Sequence, residues 1–168
     1  MGLRIQFQFI KFSLAVLFFI TLGIGSVLSE QDKRVWNVQG KGVNVSVADC
    51  NNCDEDIGLI LSCLSLGKSA ELTVPWAAVE KGVKDAPIKV EFIIDGKSQV
   101  FDGVSELQEI MGYLPKLIIS PTDPLIDALG KGEKLIVKFS GDTTEISLKG
   151  SAPSFAKFRA ECGAVSSY

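Results

Sequence analysis

The cysteines are the side chains of this chain whose type and spacing come nearest to doing chemistry. Cys50 and Cys53 enclose two asparagines, Asn51 and Asn52, the spacing of a thiol–disulfide redox pair. Such a pair works at the start of a helix that follows a buried strand, where the helix N-terminus stabilises the attacking thiolate. Here Asp54, Glu55 and Asp56 follow directly, and negative charge raises a thiol pKa. A structural role is the better reading. Cys63 and Cys162 complete an even set of four, which predicts two disulfides in an oxidising compartment, with three pairings open. A zinc site is not expected, since Cys63 and Cys162 are remote in sequence and the chain contains no histidine.

The absence of histidine removes Ser-His-Asp and Cys-His catalysis and the usual zinc hydrolase sites together. A serine nucleophile would need a lysine base, and Ser65-Leu66-Gly67-Lys68 has the Ser-X-X-Lys spacing of penicillin-binding enzymes. In those enzymes the serine opens a buried helix. Gly67 instead reads as part of a turn between strands, and the companion Ser-Asp-Asn and Lys-Thr-Gly motifs are missing. Asp54, Glu55 and Asp56 could supply the paired carboxylates of sugar hydrolysis, but adjacent acids in a loop are usually solvated. Asp49, Asn51, Asn52, Asp54 and Asp56 offer hard oxygens to calcium, yet they miss the EF-hand glycine and two cysteines interrupt them. Trp36 and Trp76 are read as core side chains rather than recognition anchors. Asn44-Val45-Ser46 spells a glycosylation sequon inside an expected strand. No catalytic residue, cofactor or metal ligand is therefore expected, and the sites assigned are the disulfide cysteines alone.

The elements that carry these residues begin after an N-terminal leader. Arg4 and Lys11 precede an apolar run at 12–28, with Val27 and Ser29 as small residues before Glu30. That order is a signal peptide over residues 1–29, cleaved after Ser29; the competing reading is an uncleaved anchor. The remaining 139 residues suit one domain, 30–168, and carry 15 basic and 20 acidic side chains, a net charge of −5. That balance argues against nucleic acid and anionic membrane surfaces. No stable membrane insertion is expected after cleavage.

Period-two alternation predicts strands at 43–47 and 70–76, and the apolar run Ile57–Leu64 a central strand. Residues 88–94 and 98–101 flank Asp95-Gly96-Lys97, a hairpin signal, and 135–139 and 144–148 flank Gly141-Asp142, a second. A further strand is expected at 116–120. Residues 122–130 carry a capping residue, a proline and a closing glycine, the signals of a short helix. Ser151 and Pro153 open a C-terminal helix that puts Phe155, Phe158 and Cys162 on one face, and a helical turn is expected at 104–111. The fold expected is mainly β, an antiparallel β-sandwich with one or two short packed helices, including the C-terminal one. Cys162 then faces the core and meets Cys63, the cysteine within a core strand, leaving Cys50 to pair with Cys53. The rival pairing is Cys53 with Cys63 and Cys50 with Cys162.

The order of Leu61-Ser62-Cys63, Trp76, the Ile93-Ile94-Asp95-Gly96 hairpin, the short helix, and Ile146-Ser147-Leu148-Lys149-Gly150-Ser151 before Phe155, Phe158 and Cys162 resembles small exported bacterial proteins of the invasion-associated locus B type. It is also similar to accessory proteins of type VI secretion. The likeness spans most of residues 57–162, and the chain departs from it around Cys50 and Cys53. The resemblance implies an all-β sandwich and a role at the cell envelope or host interface. The expectation is a non-enzymatic periplasmic or secreted protein that binds a protein or envelope partner. The alternative is a small periplasmic hydrolase.

Overall fold

Alternation of apolar and polar side chains runs through most of this chain and produces strands because each then offers one greasy face to a shared core. The structure is a computed structural model that describes residues 34–51, 53, 56–64 and 68–164. The expected signal peptide, residues 1–29, lies outside the described residues. Nine strands form one antiparallel sheet: β1 (Val35–Gln39), β2 (Ser46–Cys50), β3 (Ile57–Leu64), β4 (Ser69–Thr73), β5 (Pro87–Ile94), β6 (Lys97–Gln108), β7 (Gly112–Ile119), β8 (Lys134–Phe139) and β9 (Asp142–Ser147). Their order is β1-β2-β3-β4-β7-β6-β5-β8-β9. Helix α1 (Pro124–Lys131) joins β7 to β8, and α2 (Ala152–Ala164) follows β9.

The two edge strands approach each other. Trp36 Nε1 on β1 donates to the Ser147 carbonyl on β9 at 3.2 Å, so the sheet curls through most of a turn. Helix α2 lies along this seam: Ser154 Oγ donates to the Trp36 carbonyl at 3.0 Å, and Glu161 Oε2 accepts from the Gly42 amide at 3.0 Å. The curled sheet and both helices share a single core that includes Leu59, Leu61, Leu72, Phe92, Leu117, Leu125, Leu135, Phe155 and Phe158. One continuous sheet wrapped over one core is compatible with the expected sandwich. The mainly β class, the antiparallel pairing and the C-terminal helix are as the sequence predicts.

Both expected hairpins form, and backbone conformation places their turns. Asp95 and Gly96 take φ of 48° and 82°, the paired positive values of a tight hairpin turn. The Asp95 carboxylate then accepts from the amides of Glu133 and Lys134, which fastens this turn to the start of β8. The second turn is Ser140-Gly141, with φ of 55° and 95°, one residue earlier than the Gly141-Asp142 expected.

Other expectations need correction. The strand at 43–47 starts later, at Ser46, because a 3-10 turn at Gly42–Asn44 turns the chain first. The strand at 70–76 stops at Thr73, since Pro75 has no amide for the ladder and opens a 3-10 turn at Pro75–Ala77. Residues 104–111 form no helical turn. Most of them extend β6 along β7, and Val104 alone of them also pairs with β5; Ser105 is buried and Glu106 lies on the opposite face. Helix α1 is capped by Asp123, whose Oδ1 accepts from the Leu125 amide at 2.8 Å, and it closes at Gly132 rather than Gly130. Ser151 does not cap α2 with its side chain. Its hydroxyl donates to the Leu129 carbonyl at 2.8 Å and ties the start of α2 to the end of α1. Strand β1 and the first half of β7 have no counterpart among the predicted elements.

Candidate functional site

The cysteines divide by position in the fold. Helix α2 buries Phe155, Phe158 and Cys162 on one face, and this face lies against the sheet. Cys162 and Cys63 on β3 form a disulfide with Cα atoms 5.7 Å apart, and both are buried. Cys50 and Cys53 form a second, with Cα atoms 5.0 Å apart. Cys50 ends β2 and is fully buried, whereas Cys53 is partly exposed, with Asn37 Nδ2 at 3.6 Å from its sulfur.

Beside the end of β2 lies a charged cluster that sequence reasoning missed. Arg34, immediately before β1, extends its guanidinium between two carboxylates. Its Nε donates to Asp49 Oδ2 at 3.0 Å, and its Nη2 donates to the Asp49 carbonyl at 2.8 Å. Its Nη1 lies 2.8 Å from Asp56 Oδ2, close enough for an ion pair but off the line of a hydrogen bond. The Arg34 and Asp49 side chains are only 6% and 3% exposed, while Asp56 is 45% exposed. The Trp76 ring closes the cluster: the guanidinium carbon sits 3.7 Å from the ring centroid, and Trp76 Nε1 donates to Asp56 Oδ1 at 3.1 Å. Cation–π attraction and two ion pairs thus act on one arginine. Burial pushes the Asp49 carboxyl above its usual range even though Arg34 pulls it down.

Gly58 on β3 makes room for this arrangement. A Cβ there would lie 2.7 Å from Asp49 Oδ2 and 3.0 Å from Arg34 Nη2. Neither inward turn was read from the sequence: the strand expected at 43–47 stopped short of Asp49, and Arg34 lay in the polar stretch that follows the expected cleavage site.

The other sequence-level candidates scatter. Asp49 and Asp56 of the calcium reading come together, but around a guanidinium; Asn52 and Asp54 lie outside the described residues, and so does Glu55 of the paired carboxylates. Ser65 likewise lies outside them, and its prospective base Lys68 is exposed in the turn before β4. Trp36 packs against Phe155 with ring centroids 5.1 Å apart, so it serves the core. Trp76 packs against the core as well but also binds the cluster. Among the described residues no group of three or more metal-ligating side chains gathers, and no helix is long and apolar enough to cross a membrane.

Two surface features complete the inventory. An open groove of about 340 Å³ on the outer face is lined by Lys89, Glu91, Val100, Lys138, Asp142 and neighbouring turn residues. The Ser98 hydroxyl and Lys138 hold the Glu91 carboxyl below its usual range. At the β6–β7 turn, Leu107, Ile110 and Met111 form an exposed apolar tip, with Ile110 99% exposed.

No protein-family model matches this chain, and no curated protein matches it. Among solved structures it is similar to the crystal structure of invasion associated protein B from Bartonella henselae. The superposition has a TM-score of 0.46 at 12% identity and covers 74% of this chain and 96% of that one. That protein bears the name of the group that the sequence pattern resembles.

Proposed function

We propose that this chain is a non-enzymatic exported protein that acts by binding at the cell envelope or host interface. The observation that carries the reading is the buried Cys63–Cys162 bridge, which ties the last helix to a central strand across 99 residues of sequence. A bridge of that span forms and persists in an oxidising compartment, outside the cytoplasm. The leader at residues 1–29 supports the same destination. Against catalysis stand the lack of histidine in the sequence and the engagement of the buried carboxylate Asp49 by Arg34, which leaves it no free role as a base. The apolar tip at Leu107, Ile110 and Met111 supplies the kind of surface on which binding domains rely.

The experiment is a turnover panel on purified residues 30–168 with ester, glycoside and peptidoglycan substrates. The expected result is no turnover. Reproducible activity that disappears on Ser65→Ala or Lys68→Ala would replace the binding role with a hydrolase.

A further inference from the structure

The two disulfides differ in access, and that difference has chemical consequences. Cys63 and Cys162 are both buried, so a thiol reaches their bridge only if α2 lifts from the sheet. In the other pair Cys50 is fully buried and Cys53 is partly exposed at the loop surface. Exchange proceeds by attack of a thiolate along the S–S bond on an accessible sulfur. Only Cys53 offers that sulfur in the folded protein.

The contacts that hold the surrounding backbone do not run through the sulfurs of this bridge. The end of β2 pairs with β1 and β3 through its backbone, and Arg34 contacts Asp49 and Asp56, which flank the loop in sequence. A three-residue separation constrains the unfolded chain far less than one of 99. Opening the short bridge therefore releases a loop and spares the core.

We infer that Cys50–Cys53 is an exchange site for small thiols, with Cys53 as the sulfur that forms the mixed disulfide. In the first step an incoming thiolate bonds to Cys53 Sγ, the Cys50–Cys53 bond breaks, and its electron pair leaves on Cys50 Sγ, which takes a proton from solvent. In the second step another thiolate bonds to the small-molecule sulfur of the adduct, the bond to Cys53 Sγ breaks, and a small-molecule disulfide and the Cys53 thiolate are released. Two thiols are oxidised and one protein disulfide is reduced. The Asn37 amide, 3.6 Å from Cys53 Sγ, donates to the sulfur that carries charge in that second departure. This chemistry is stoichiometric and goes beyond the binding role.

The test uses the native, oxidised residues 30–168 and reduced glutathione as the thiol, followed by acid quenching and non-reducing peptide mapping. The expected result is a glutathione adduct on Cys53, a free thiol at Cys50 and an intact Cys63–Cys162 bridge. An adduct on Cys50, equal reaction at Cys63–Cys162, or no adduct at any glutathione concentration that leaves the protein folded overturns the proposal. A second measurement compares single variants: iodoacetamide should alkylate Cys53 in Cys50→Ala at least about tenfold faster than Cys50 in Cys53→Ala. Equal rates would also overturn it.

Discussion

Arg34 is the residue on which most local interactions converge, and its energetics follow from burial. A charge removed from water is costly unless paired, and removing one partner leaves the other stranded. Arg34→Met should therefore destabilise the protein by about 3 kcal/mol at neutral pH, measured by urea unfolding. The pH dependence has a definite sign. Burial raises the folded-state pKa of Asp49 above that of the unfolded chain, so its contribution is fully present below the unfolded value and is lost as pH rises through the raised one. Without Arg34 that rise is larger, and the penalty of the variant should shrink when the measurement is repeated near pH 4. An equal penalty at both pH values would contradict the pairing. Gly58→Ala tests the same cluster by crowding it. Its Cβ would meet Asp49 Oδ2 at 2.7 Å, so a loss of about 1–3 kcal/mol is expected, readable as a lower urea midpoint.

Elements are held together unequally by the two disulfides. In the entropic description a loop of 99 residues contributes about 4.7 kcal/mol and one of three residues about 1.6 kcal/mol. Replacing Cys63 and Cys162 together with alanine should accordingly lower Tm far more than replacing Cys50 and Cys53 together, as thermal unfolding followed by circular dichroism would register. Comparable losses would mean that α2 is held by packing alone. The elements also mark what the sequence made legible. Ile57–Leu64, the Asp95-Gly96 hairpin and the Phe155, Phe158, Cys162 face were readable because each is fixed by local pattern. The 104–111 segment was misread since Ser105 and Leu107 hardly alternate with their neighbours by hydropathy, and pairing of 104–108 with β7 decided its conformation. The Arg34 cluster was hidden for a related reason. Its members come from β1's lead-in, β2, a loop and a 3-10 turn, and no local period links them.

At the scale of the whole molecule, the approach of the two edge strands limits a hazard. An open nine-stranded sheet would present two free edges, and exposed edges recruit other strands. Here Trp36 reaches from β1 to Ser147 on β9, Ser154 and Glu161 hold α2 against β1 and the turn that follows it, and the Cys63–Cys162 bridge ties the helix to β3. The C-terminal helix and its bridge to β3 are the last parts of this fold to be synthesised, because Cys162 lies in the final helix. The proposed role requires that this domain be exported and oxidised, and intact mass reads both at once. Protein recovered from periplasm or medium, alkylated without reduction, should have lost residues 1–29 and carry no alkyl groups, with Cys63 linked to Cys162 on mapping. A full-length, membrane-held product, or alkylation at Cys63 and Cys162, would contradict it.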